Sequence, residues 1–167
     1  MELWDAYDKD GKLLGFDLKR GEKIDEGILH LVVEIAVKHI DGTYLLMQRS
    51  KDKESYPEFY EVSAGGAVLK GETSLEGAIR ELYEETGIKD VVSIERVNRI
   101  IKIEGNYIFD SYKVITDIDK TSITFQEGET QGYKWLDRKT LVDFLLSDES
   151  IDGQSSRILK LLETGVL

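Results

Sequence analysis

Three glutamates dominate the chemistry open to this chain. Glu81, Glu84 and Glu85 stand at i, i+3 and i+4 in the run RELYEET, with Arg80 beside them and Glu72 upstream. On a helix these spacings make surface neighbours, so three carboxylates converge on one patch. Such a patch is unfavourable alone. Like charges one turn apart repel by about a few tenths of a kcal/mol, and acids near a helix C-terminus oppose the helix dipole by roughly 0.3–1 kcal/mol each. A hard divalent cation removes both costs, and magnesium commonly sits between carboxylates and substrate phosphates. Arg80 can pair with Glu84 one turn on, or reach back to Glu72. The second choice ties loop to helix and orients the metal ligands.

The helix that must carry these groups has its ends written locally. Thr73 with Glu76 forms a T-x-x-E capping box, which starts a helix at about Ser74. Gly87 can take the left-handed conformation that stops it near Thr86. Leu75, Ile79, Leu82 and Thr86 recur at helical steps and predict a core-facing stripe, with the three glutamates off it. Upstream, a short strand over Phe59–Ser63 feeds the turn Ala64-Gly65-Gly66, where glycine lets backbone approach a ligand closely. Arg49, Lys51 and Lys53 lie just before that turn and can hold a phosphate opposite a metal. Trp4, Tyr7, Tyr56, Phe59 and Tyr60 are candidates for stacking on a base, although most read as core or rim. His30 and His39 close the ends of one strand and read as structural, and Trp135 reads as core.

The remaining elements frame these residues. Leu3–Asp8 and Lys12–Leu18 flank Asp10-Gly11, a two-residue hairpin signal, and predict an N-terminal β-ribbon. His30–His39 is β-branched and nearly continuous, as a strand covered on both faces must be. Thr43–Arg49 follows the Asp41-Gly42 turn as its partner. Val91–Glu104 and Tyr107–Thr116 predict a hairpin across Gly105-Asn106, and Tyr133–Leu136 a short strand. Helices follow from Asp137 to about Leu146 and from about Gln154 to Leu162. The class is α/β, with helices bracketing a mixed, mostly antiparallel sheet. At 167 residues one domain with a substantial core is expected. Net charge is 22 − 33 = −11, which argues against nucleic acid or an anionic membrane as the main partner. An anionic substrate must therefore be met by metal and local Arg or Lys. The chain has no cysteine, which excludes disulfides, thiolate metal sites and a thiol nucleophile. No apolar run approaches transmembrane length and the start lacks a basic leader, so a cytoplasmic protein is expected.

From Gly66 to Ile88 the chain fills every fixed place of the pattern G-x5-E-x7-R-E-U-x-E-E-x-G-U, with U aliphatic. It resembles the Nudix box, the signature of magnesium-dependent pyrophosphohydrolases. The resemblance implies an α/β/α sandwich with a mixed sheet. Within a single domain spanning residues 1–167, the core would run over 29–146, after the ribbon in 1–28 and before a C-terminal helix in 147–167. It implies magnesium, with manganese able to substitute, held by Glu81, Glu84 and Glu85 and by a carbonyl of the glycine turn, Gly66 or Gly65. Glu72 and Arg80 would orient those ligands. A further glutamate on a loop facing the box, Glu127 or Glu129, would bind metal or take a proton from water, a role open also to Glu84 and Glu85. The implied reaction is hydrolysis of a nucleoside diphosphate linked to another group. The partner is thus a small diphosphate rather than nucleic acid or membrane, and the ribbon could mediate a homodimer.

The stretch from Trp4, with Asp8–Gly11, through Gln48-Arg49-Ser50 and Lys53–Pro57 also looks like the isopentenyl-diphosphate isomerase branch of the superfamily, in which an Arg and a Lys at the places of Arg49 and Lys53 grip a diphosphate. That branch carries a catalytic Cys and a metal-binding His where this chain has Gly65 and Ala67, and a Trp where it has Tyr60. An isomerase-like hydrolase is the reading that survives. A non-catalytic nucleotide sensor and a prenyl-diphosphate isomerase are the alternatives.

Overall fold

In the computed structural model, which describes residues 1–167, the chain runs β1 (Leu3–Tyr7), β2 (Leu13–Lys19), β3 (His30–His39), β4 (Tyr44–Arg49), β5 (Tyr60–Val62), β6 (Ala64–Ala67), α1 (Ser74–Thr86), β7 (Ser93–Lys102), β8 (Tyr107–Thr116), β9 (Thr130–Leu136), α2 (Arg138–Leu145) and α3 (Asp152–Glu163). Strand β3 organises the whole. It pairs in parallel with β8 over its full length and antiparallel with β6 on its other edge. It meets β4 only at the Asp41-Gly42 hairpin, where Lys38 faces Tyr44. From there β4 diverges to pair with β5 and β9, so a cleft opens where β3 and β4 part.

Alternation along β3 and β4 builds two cores. Leu31, Val33, Ile35, Val37, Leu45 and Met47 pack toward Ala78 and Leu82 of α1. Ala36, Tyr44 and Leu46 pack toward Leu141 and Phe144 of α2 and Ile158 and Leu162 of α3. Cover on both faces explains why β3 carries no hydrophobic alternation. The result is a three-layer α/β/α arrangement around a mixed sheet. No helix is long and apolar enough to cross a membrane.

Three expectations are corrected. First, Ala64-Gly65-Gly66 is not a turn but part of strand β6, paired residue by residue with β3. A Cβ on Gly65 would lie 2.7 Å from the Val33 carbonyl oxygen, so glycine is what lets the two strands close. Second, Leu75 and Ile79 do not face the core; they are 42% and 50% exposed. Helix α1 buries Gly77, Ala78, Leu82, Glu85 and Thr86 instead. A Cβ on Gly77 would stand 2.9 Å from a Val68 methyl, so small residues bring the helix close and turn its buried arc toward the glutamates. Third, the β1–β2 loop is longer than two residues. Asp8 N–H donates to the Lys12 carbonyl and Gly11 N–H to the Asp8 carbonyl, with Gly11 left-handed at φ 77°. This is the three-residue loop with a bulge glycine. The ribbon it closes forms a separate two-stranded sheet.

Candidate active site

Helix α1 begins and ends where its capping signals require. The Thr73 hydroxyl accepts the Glu76 N–H at 3.2 Å, the Glu76 carboxylate accepts the Thr73 N–H at 2.8 Å, and Gly87 is left-handed at φ 76°. Its last two turns lie against β6. Gly66 faces the Glu81 carboxylate so closely that an added Cβ would overlap it. Glu85 is buried, and its Oε2 accepts the Gly65 N–H at 3.2 Å.

Arg80 takes both of the options its spacing offers. Nε and Nη2 grip the two Glu72 oxygens at 2.8 and 3.0 Å, and Nη1 reaches Glu81 at 2.7 Å and Glu84 at 3.2 Å. Nη2 also donates to the Ala67 carbonyl at 3.0 Å. A guanidinium has five N–H donors, and all five are used. Arg80 therefore braces loop, strand and helix, and has nothing left for a ligand. Glu72 accepts the Leu69 N–H as well, and its pKa is lowered chiefly by the Arg80 bond.

The acids differ in environment. Burial pushes the pKa of Glu85 well up; Glu61 and Glu81 push it further, and only the Gly65 N–H opposes them. Burial also raises Glu81, against the pull of Arg80. Glu84 is the most open, its side chain 40% exposed. Glu61 was not foreseen from the sequence. Its side chain is half-buried in the same region, and its pKa is raised by desolvation against the pull of Arg49. The available signal was weak: one acid in a three-residue strand.

Gly65, Gly66, Arg80, Glu81, Glu84 and Glu85 line a cleft of about 500 Å³, whereas Glu61 and Glu72 are not among its lining residues. Arg49 and Lys53 stand in its wall, Arg49 bonded to Glu61 at 3.0 Å and Lys53 paired with Glu129. Glu129 thus enters the cleft, whereas the exposed Glu127 and Lys51 are not among its lining residues. The ribbon supplies Glu2, Trp4 and Arg20 to the same cleft. Trp4 stacks on His30 at 4.3 Å between ring centroids, and its Nε1–H donates to Glu2. His30 lines the cleft too, its Nδ1 buried without a partner and its pKa lowered to about 4 by burial. Tyr56, Phe59 and Tyr60 lie outside it.

Whether this donor set suits a divalent ion can be read from its chemistry. In this conformation no three acidic or imidazole groups converge closely enough to hold one ion. Glu81 is turned onto Arg80 instead. Yet Glu85 is a buried carboxylate with acids for neighbours and no cation bonded to it, and the donors are hard oxygens. The chemistry of the donors suits a hard divalent ion.

A family model described as the NUDIX domain matches residues 29–158. An uncharacterised Nudix hydrolase of Listeria monocytogenes is 36% identical over 90% of this chain and 89% of its own. The crystal structure of DR0079 from Deinococcus radiodurans superposes with a TM-score of 0.73 at 22% identity, over 89% of this chain and 91% of that one. A bifunctional NMN adenylyltransferase/ADP ribose pyrophosphatase from Francisella tularensis, solved with AMP and a manganese ion, gives a TM-score of 0.61 at 19% identity. That match covers 81% of this chain and 42% of that one.

Proposed function

The chain belongs to the Nudix family and is a hydrolase acting on pyrophosphate bonds; from that premise we propose that it cleaves, with a divalent ion, the diphosphate of a nucleoside diphosphate linked to another group. The observation that carries the reading is the meeting of Glu81 and Glu85 with the backbone of Gly65 and Gly66 in one cleft that Arg49 and Lys53 also line. The manganese ion and AMP in the Francisella structure support the cofactor class and the nucleotide.

Glu81, Glu84 and Glu85, with the Gly66 carbonyl, would hold the ion, which when bound neutralises phosphate charge and makes a water more acidic. Arg80, anchored on Glu72, keeps the ligands aimed. Arg49 and Lys53, in the same cleft, receive phosphate oxygens. Water attacks one phosphorus and the other phosphate leaves. The water's proton passes to a cleft carboxylate, with Glu84 and Glu129 the two that stand most open. Gly65 and Ala67, where isomerases have Cys and His, leave no thiol for prenyl isomerisation.

The test is a hydrolysis panel over ADP-ribose, nucleoside-diphosphate sugars, dinucleotides and nucleoside triphosphates, with and without magnesium. Turnover should require the metal. Glu85→Gln should lower it by at least about a hundredfold while the fold is retained. Near-normal turnover by the folded variant would remove Glu85 from the mechanism. Tight binding of a diphosphate with no metal-dependent cleavage would instead favour a sensor.

A further inference from the structure

Strand β5 is three residues long and is held between two non-glycine residues in the left-handed region, Glu58 at φ 65° and Ser63 at φ 57°. Such residues persist only where their surroundings over-determine them. At Ser63 the determinants are plain. Its hydroxyl donates to the Leu45 carbonyl at 2.8 Å and accepts the Val37 N–H at 2.9 Å, and its own N–H turns back onto the Glu61 carbonyl at 3.1 Å. This buried corner sets β5 against β4 so that Glu61 lies opposite Met47, on the face that packs toward α1.

The Glu61 side chain lies diagonally across the ladder from Arg49, whose N–H bonds to the Phe59 carbonyl. Glu61 Oε1 accepts Arg49 Nη1 at 3.0 Å, and the Ser55 carbonyl accepts Arg49 Nε at 3.1 Å. Of the five donors on the guanidinium, two are spent and three remain, in a side chain that lines the cleft. Arg80 offers the contrast, with none remaining. Glu61 also carries a burden. It places another acid near Glu85, where it adds to the charge already crowded there. Its bond to Arg49 and the nearby Lys53 charge are set against that cost.

We infer that Glu61 is a positioning residue: with the Ser55 carbonyl it fixes the Arg49 guanidinium so that the three free N–H groups face a substrate diphosphate. The inference rests on the proposed role of Arg49 in meeting phosphate.

A double-mutant cycle on ligand binding tests it. Methylenediphosphonate, which cannot be hydrolysed at the bridge, is titrated calorimetrically with magnesium into wild type, Glu61→Ala, Arg49→Ala and the double variant. Each single substitution should weaken binding by about tenfold or more, and the double should be no weaker than Arg49→Ala alone. Glu61→Gln, whose amide oxygen can still accept Nη1–H, should restore most of the affinity. It also keeps the test open should Glu61→Ala fail to fold. With a cleavable substrate, Glu61→Ala should raise KM and leave kcat within a few-fold. Losses that multiply in the double variant would overturn the inference. So would unchanged binding with a fallen kcat, which would move Glu61 to the reacting atoms. A wild type that does not bind the probe would overturn it too. A wild type that binds the probe and hydrolyses no diphosphate would defeat the proposed activity alone, and the cycle would still decide Glu61.

Discussion

Gly66 and Arg80 show how little freedom this site has. Gly66 leaves out the one atom that the Glu81 carboxylate would strike, and Arg80 spends every donor on its surroundings. Gly65 is glycine for another reason, the nearness of the β3 backbone. The two alanine variants should therefore fail differently. Gly66→Ala should push the Glu81 side chain aside, cutting turnover at least about tenfold with little change in Tm. Gly65→Ala should disturb the β3–β6 ladder and lower Tm. Equal loss of stability in both variants would show that Gly66 is needed for the strand rather than for the acid. The glutamates and Arg80 could be picked out in the sequence because a helix fixes which residues are neighbours. Glu61 could not, because its direction depends on a corner at Ser63 built from Leu45 and Val37, residues distant in the chain.

At the scale of elements, α1 was readable to the residue at both ends because caps are local chemistry. Its buried arc was not. Leu75 and Ile79 have the spacing of a core stripe, yet the helix packs through Gly77 and Ala78, and the choice lies in Val68 and β6 rather than in α1. The glycine strand was missed for a like reason: a run such as Ala-Gly-Gly has no strand pattern of its own and is extended only because β3 pairs with it. The capping box makes a direct prediction. Thr73→Ala should cost about 1 kcal/mol, lowering Tm by about 2–4 °C in a chain of this size. Turnover at 25 °C should be unchanged, since the cap lies at the end of α1 away from Glu81–Glu85. A Tm equal to wild type would mean that tertiary packing alone holds that turn.

Across the whole molecule, the ribbon is docked on the core through Trp4 on His30, the Tyr7–Leu29 bridge and the bond from Gly71 N–H to Asp5. His30 makes this junction sensitive to acid. Burial holds its pKa at about 4 against 6.5, with Glu2 the charge that opposes the shift. The unfolded chain thus binds more protons between those values. Stability from this group is complete above about pH 6.5 and is lost as pH falls toward 4, by at most about 3 kcal/mol. His30→Phe keeps a ring against Trp4 and should remove that part of the acid loss, seen as a smaller Tm drop from pH 7 to pH 4.5. Parallel Tm curves for the two proteins would show that His30 titrates normally in the fold. The net charge of −11 could be read from composition, and with it the need for local cations. That the ribbon walls the same cleft could not, since nothing in residues 1–20 states where they dock.

The proposed hydrolysis requires that the acid edge of α1 clasp a divalent ion. Manganese titrated into the protein and followed by electron paramagnetic resonance reads this directly, because bound ion leaves the sharp free signal. Wild type should remove manganese from solution, more tightly when methylenediphosphonate is present. Glu85→Gln, with an unchanged circular-dichroism spectrum, should bind at least about tenfold more weakly. Equal manganese affinity in the two proteins would contradict the account.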